Sequence, residues 1–179
     1  MNEKSCIKYN LIKLIVYALL AVLVFIFKES IVENLKFFIG SLMLLYAVEE
    51  ILFIVLHHIH HFLHEGKVYL GFVELLLGIV LLSVNVTYES VCIIWATWSI
   101  LREAYEIKEI FTELHHIAPK VISGIESIVV IIFSIMLIME PGEHHALIHL
   151  YLLLAELVVT PLTPLLDELL TKKKDTNNG

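Results

Sequence analysis

Ionisable side chains recur inside the most apolar stretches of this 179-residue sequence. A charged side chain at a bilayer centre costs about 2.5–3.5 kcal/mol on insertion scales, so such residues are expected to face a bundle interior or water. Carboxylates in that position could exchange protons or bind a cation, and a neighbouring arginine would neutralise part of their charge. The candidates are Glu49, Glu50, Glu74, Arg102, Glu103, Glu126 and Glu156.

Two interpretations of these residues stay open. In the first they form an ion-binding or proton-relay cluster, because most of the acids have no obvious partner in the sequence. In the second they are structural: Arg102 neutralises Glu103 or Glu106, and protonated glutamates bond neighbouring helices together.

Ten histidines lie at or beyond the ends of the apolar stretches. Histidines spaced i,i+4 on a helix place two imidazoles on one face, where they can chelate Zn²⁺ or another divalent transition metal if a third ligand approaches. The i,i+4 pairs are His57 with His61, His60 with His64, and His145 with His149. The alternatives are surface histidines that only titrate, or histidines that charge together as the cytoplasm acidifies and move a helix end.

The elements that carry these residues are predicted to be membrane-spanning helices. The chain is 59% hydrophobic and 17% charged, and its mean hydropathy is +0.86, which excludes a water-soluble enzyme. A net charge of −7 excludes a nucleic-acid partner. The predicted spans are residues 11–27, 35–56, 68–84, 91–110, 121–139 and 146–166. The fold class is therefore an all-α membrane protein with six transmembrane helices.

Lysines near the predicted span ends indicate the orientation. Six spans put both termini on one side, and the lysines on that side are Lys4, Lys8, Lys13, Lys67, Lys108, Lys120 and 172–174, against Lys28 and Lys36 on the other. This bias predicts cytoplasmic termini and a multi-pass protein of the cell (inner) membrane. Trp95, Trp98, Tyr88 and Tyr151 lie toward the outer end of the predicted spans, and most of them are interpreted as interfacial anchors. Residues 1–170 form one domain, and 171–179 a polar cytoplasmic tail.

The sequence repeats with a shift of 53 residues. Lys67-Val68-x-x-Gly71 recurs as Lys120-Val121-x-x-Gly124, and the same shift backwards from Gly71 reaches Ala18. Glu50, Glu103 and Glu156 are also in register. Three hairpins of parallel topology, at about 11–63, 64–116 and 117–169, are therefore predicted around an approximate three-fold axis, with the small residues where helices approach closely.

This plan resembles the HdeD-like family of small bacterial six-helix membrane proteins. The resemblance covers residues 11 to about 168 and rests on the three hairpins, on Ala18, Gly71 and Gly124, and on the segment 98–107, which is similar to the family's second-helix segment. It implies a six-helix fold and an association with acid stress, and it implies no catalytic residues. The high histidine content departs from the usual family pattern.

The first functional hypothesis is a small membrane protein that moves or binds protons or a divalent cation through Glu50, Glu103 and Glu156, tuned by Glu74, Glu126 and Arg102. The alternative is a non-transporting HdeD-like acid-stress scaffold with pH-responsive histidines. A metalloenzyme would require a fixed metal, and the sequence has no catalytic motif, so the protein is not expected to be an enzyme. The expected partners are the lipid bilayer and the ion, and a homo-oligomer stays open.

Overall fold

Helices are the only regular secondary structure in the part of the chain that the computed structural model describes. That part comprises residues 3–57, 66–112 and 114–178, with side chains described for 10–51, 69–108, 110–112 and 114–172. The helices are α1 (Glu3–Ile26), α2 (Lys28–Glu33), α3 (Leu35–His57), α4 (Gly66–Ser83), α5 (Tyr88–Thr112), α6 (Ile117–Met139) and α7 (Glu143–Asn178). The all-helical prediction is confirmed, and α2 occupies the first connection.

The six long helices coincide closely with the six predicted apolar segments. Segments rich in Leu, Ile and Val with few Gly or Pro satisfy all their backbone groups as helices. α6 ends at Met139, because Glu140 precedes Pro141 and leaves the helical conformation, at φ −134° and ψ 76°. α7 continues through Pro161 and Pro164, so the residues predicted as a polar tail extend this helix to Asn178.

The closest helix pairs join successive hairpins. α3 packs along α4, α5 along α6 and α7 along α1, and α6 and α7 also pack along each other. Asn10 donates a hydrogen bond to Glu168 (3.3 Å), and the Phe25 ring lies 6.4 Å from the Tyr151 ring between centres, so α1 and α7 meet near both ends of the bundle. We call the end with the start of α1 and the end of α7 the terminal end, and the other the opposite end. The cyclic pairing is compatible with the predicted repeat, whose symmetry stays a prediction.

Large apolar side chains are exposed on every long helix, and several charged and polar side chains lie inside, next to an apolar core that includes Ile39, Met43 and Trp95. The buried polar residues are Glu74, Ser99, Arg102, Glu103, Ser123, Ser127, Ser134, His149, Glu156, Thr163 and Asp167. Among the described residues, α6 and the segment Glu143–Lys172 are long and apolar enough to cross a membrane, and Asn10–Ile26 and Tyr69–Ser83 are shorter apolar helices.

Glycines set the close approach of α3 and α4. A Cβ on Gly78 would lie 2.9 Å from the backbone oxygen of Gly40, and a Cβ on Gly71 would lie 3.3 Å from Ile51. The prediction of close approach holds for Gly71, whereas a Cβ on Gly124 would meet nothing within 4 Å, so the prediction was wrong there. The predicted repeat keeps a small residue at Gly124, but the neighbouring helix lies farther from Gly124 than from Gly71.

We expect Gly78→Ala to destabilise the bundle. The added methyl group would push α3 and α4 apart, and such overpacking typically lowers the free energy of unfolding by about 1–3 kcal/mol. The better helix propensity of alanine offsets about 1 kcal/mol of this loss. Gly124→Ala is the matched control, and it should unfold at the same or a higher temperature. Thermal unfolding of both variants in detergent measures the difference, and equal shifts in Tm would contradict the packing described.

Candidate ion-binding site

Arg102 lies at the centre of the buried polar network. Its Nη1 donates a hydrogen bond to Glu74 Oε1 (3.2 Å), its Nη2 donates one to Glu106 Oε1 (3.3 Å), and its Nε lies 3.7 Å from Glu156 Oε1. The guanidinium carbon also lies 3.8 Å from the centre of the Tyr46 ring. A planar fork of donors is suited to this role, because it can serve several carboxylates at once.

Glu74 is the acid most completely enclosed by this network. The side chain is fully buried on α4, and its Oε1 also accepts a hydrogen bond from Trp98 Nε1 (2.8 Å). Trp98 itself is 1% exposed and Trp95 is fully buried. The interpretation of these tryptophans as interfacial anchors was therefore wrong, because the indoles fill the interior rather than the bundle surface.

Two adjacent residues of α5 serve different parts of the interior. Successive residues on a helix point about 100° apart. Arg102 accordingly contacts Tyr46 of α3 and Glu74 of α4, whereas the carboxyl group of Glu103 lies against the Ser127 hydroxyl of α6. α5 thus connects one half of the bundle with the other.

Three carboxyl groups converge where α5, α6 and α7 meet. One oxygen from each of Glu103, Glu126 and Glu156 lies within 4.8 Å of the other two, and we call these three residues the carboxylate cluster. Glu103 is 1% exposed and Glu156 is 6% exposed. Among the described residues, no hydrogen bond reaches Glu103 Oε2 or either oxygen of Glu126. The cluster therefore has acceptor capacity that the surrounding side chains do not use.

The structure brings together most of the predicted acids, in a different combination from the expected one. Glu103 and Glu156 meet as predicted, but the third member is Glu126, which the sequence suggested only as a tuning residue. Glu50 lies at the α3–α4 contact, with its Oε2 3.4 Å from the position that a Cβ on Gly71 would take. The close α3–α4 packing turns Glu50 toward α4, so equivalent repeat positions do not share one environment.

The predicted histidine pairs do not form a metal site among the described residues. His149 is buried, accepts or donates a hydrogen bond with Ser134 (3.1 Å) and stacks on Trp95 at 4.6 Å between ring centres. His145 instead lies 3.8 Å from Glu140, at the bundle surface. The two imidazoles of the predicted His145–His149 chelate are not brought together in this arrangement, because each has a different partner. His60, His61 and His64 lie outside the described residues, as does the side chain of His57.

Asp167 fixes the start of α6 against the end of α7. Its carboxylate accepts hydrogen bonds from the backbone N–H groups of His115 (3.0 Å) and His116 (2.7 Å). Carboxylates at a helix N-terminus satisfy backbone donors and interact favourably with the helix dipole. This contact holds the third hairpin together at the terminal end.

Sequence reasoning missed the aromatic and hydroxyl residues around the charges. Tyr46 and Ser127 are buried beside Arg102 and Glu103 but lie in apolar or small-residue contexts that give no charge signal. A usable signal existed for Ser127: it lies four residues after Ser123 and seven before Ser134, so the three hydroxyls share one face of α6.

The arrangement of the carboxylate cluster suits a proton or an oxygen-coordinated cation. Three carboxylates at this separation repel one another unless a proton or a positive ion lies between them. Oxygen ligands are those that hard divalent cations prefer, whereas Zn²⁺ sites usually include nitrogen or sulfur. Among the predicted ligands, the glutamates of the cluster therefore lie close enough together to bind one ion, and the described histidines do not.

We expect Arg102→Leu to destabilise the protein strongly. Removing one partner of a buried ionic network typically costs about 3–5 kcal/mol, because the remaining charge is buried and uncompensated. The matched control is Lys108→Leu on the exposed face of the same helix, which should change Tm little. The double variant Arg102→Leu/Glu74→Leu should recover part of the loss, and no recovery would contradict a direct Arg102–Glu74 interaction. Thermal unfolding in detergent measures all three.

Comparisons of the chain with protein-family models, with characterised proteins and with solved structures give no match. The HdeD-like resemblance therefore stays a prediction based on the sequence.

Proposed function

We propose that the protein is an integral membrane protein that binds a proton or a divalent cation in the carboxylate cluster and lets it cross the bilayer. The exposed apolar surface on all six long helices supports the membrane part of this proposal. Such a surface costs roughly 25 cal/mol for each Å² in contact with water, and it is stable when lipid covers it. The buried charges support it as well, because the interior of a membrane bundle is where ionisable residues are retained.

The six long helices and the lysine distribution support a multi-pass topology with both termini in the cytoplasm. In that orientation the terminal end faces the cytoplasm, and each of the pairs α3–α4, α5–α6 and α7–α1 joins one predicted hairpin to the next. The carboxylate cluster then lies within the bilayer, on helices that each contribute one acid from a central position.

The observation that carries the ion-binding function is the excess of buried acid over base. Arg102 is bonded to Glu74 and Glu106 and lies close to Glu156, so one guanidinium serves three carboxylates before Glu103 and Glu126 are considered. Burial of so much uncompensated negative charge is unfavourable. A mobile positive ion, bound and released by the cluster, would relieve it.

Flux measurements on protein reconstituted into liposomes test this function. With a pH gradient and a potassium diffusion potential, the wild-type protein should admit protons faster than protein-free vesicles. Glu126→Gln and Glu103→Gln should reduce the flux to the level of those vesicles, because each removes a carboxylate from the cluster. Glu140→Gln, at an exposed position outside the cluster, is the matched control and should behave as the wild type.

The same vesicles separate the ion classes and the alternative function. Manganese or calcium flux without proton flux would assign the site to a divalent cation. No flux of either kind, together with a helix arrangement that changes between neutral and mildly acidic pH, would overturn the transport proposal and favour the non-transporting acid-stress scaffold.

A divalent cation in the cluster would also stabilise the folded protein. Ligand at about 100 times its Kd adds roughly 2.7 kcal/mol to the free energy of unfolding, which is measurable as a rise in Tm. We expect any rise produced by Mn²⁺ or Ca²⁺ to be lost in Glu103→Gln and kept in Glu140→Gln. A rise that survives in Glu103→Gln would place the cation elsewhere.

A further inference from the structure

A row of mostly polar side chains, buried except for the half-buried Thr160, continues away from the carboxylate cluster along the α6–α7 interface. On α7 the spacing alternates between four and three residues, which keeps the row on one face of the helix. The α7 row is His149, Leu153, Glu156, Thr160, Thr163 and Asp167. The facing row on α6 is Ser123, Ser127, Val130 and Ser134, all of them buried.

Contacts at both ends of the hairpin fix how the two rows align. Near the opposite end Ser134 Oγ lies 3.1 Å from His149 Nε2, and near the terminal end the His116 backbone N–H lies 2.7 Å from Asp167. Because the helices are antiparallel, the same register places Val130 level with Leu153. It also places Ser127 level with Glu156 at the carboxylate cluster.

Each residue of the α7 row and the α6 residue beside it form one level of this interface. Every level between His149 and Asp167 carries a polar group on at least one helix, except one. Val130 is 1% exposed and Leu153 is 3% exposed, and they lie between the His149–Ser134 pair and the carboxylate cluster. His149 and Glu156 are seven residues apart, which is about 10 Å along the helix axis. That separation is too long for a direct proton transfer, so water would have to enter the apolar level.

His149 has a further feature that its contacts with Ser134 and Trp95 do not explain. Its Nδ1 is buried and makes no hydrogen bond within the described part of the chain. Buried polar atoms without a partner are rare in folded proteins, and they are often satisfied by water or an ion. The imidazole is therefore a polar group placed on the far side of the apolar level from the carboxylates.

We propose that the α6–α7 interface is a proton route, in which His149 is a second proton-binding station and the apolar level of Val130 and Leu153 acts as a gate before the carboxylate cluster. This inference rests on the proposed function and assigns the proton as its ion. Imidazole, hydroxyl and carboxyl groups can all accept and donate protons. A divalent cation would need several oxygen ligands, and the His149 level offers one imidazole and one hydroxyl.

The test is proton flux through the full chain in liposomes with Val130→Thr, which keeps the side-chain shape and adds a hydroxyl to the apolar level. Because apolar constrictions block conduction by excluding water, this variant should raise the flux severalfold above that of the wild type. Ile132→Thr, on an exposed position of the same helix, is the matched control and should leave the flux unchanged. Val130→Ser provides a second variant at the gate, and thermal unfolding verifies that each one is folded.

His149→Phe tests the second station. Phenylalanine can keep the stacking on Trp95 but cannot bind a proton, so the flux should fall while the gate variants still raise it in the wild-type background. If Glu126→Gln abolishes flux but Val130→Thr, Val130→Ser and His149→Phe all conduct as the wild type does, the route is overturned and the proposed function stands. If the wild type conducts no ion, the proposed function itself fails.

Discussion

One buried guanidinium determines how the polar interior of this bundle is organised. Arg102 reaches Glu74 on α4, Glu106 on its own helix and Glu156 on α7, while its face packs on Tyr46 of α3. Four of the long helices are therefore connected through a single side chain. An ion of this kind is stable in an apolar interior only when its donors and its charge are both matched, so the positions of the four helices are mutually dependent.

The carboxylate cluster follows from the same constraint. Arg102 draws Glu156 to one side, and the adjacent residue Glu103 is then directed toward α6, where it meets Glu126. The base cannot neutralise all of these acids at once, because its single positive charge is already shared among Glu74, Glu106 and Glu156. The same residues that hold the bundle together therefore leave a concentration of negative charge next to them, and a structural network and an ion site can share one location.

Departures from the predicted repeat account for where this site lies. The Gly40–Gly78 contact brings α3 and α4 close together and carries Glu50 to their interface, whereas no neighbour approaches Gly124. The third hairpin also has close internal packing between α6 and α7, held by Asp167 at one end and by the Ser134–His149 pair at the other. The site is consequently formed by the second and third hairpins rather than around a common axis.

The sequence by itself determined the helical class and the approximate ends of the helices, because apolar length is a local property. It indicated Glu74, Arg102, Glu103 and Glu156 as interior residues, whereas Glu50 and Glu126 are half-buried and His149 and Asp167 are buried as well. It also indicated Glu103 and Glu156 as neighbours through the repeat. Only the tertiary structure decided that Glu126 replaces Glu50, that His149 faces Ser134 rather than His145, and that Trp98 is an interior donor. These outcomes depend on interhelical distances and helix rotations, which glycine contacts and one arginine set across elements far apart in the chain, and no periodicity within a single helix encodes them.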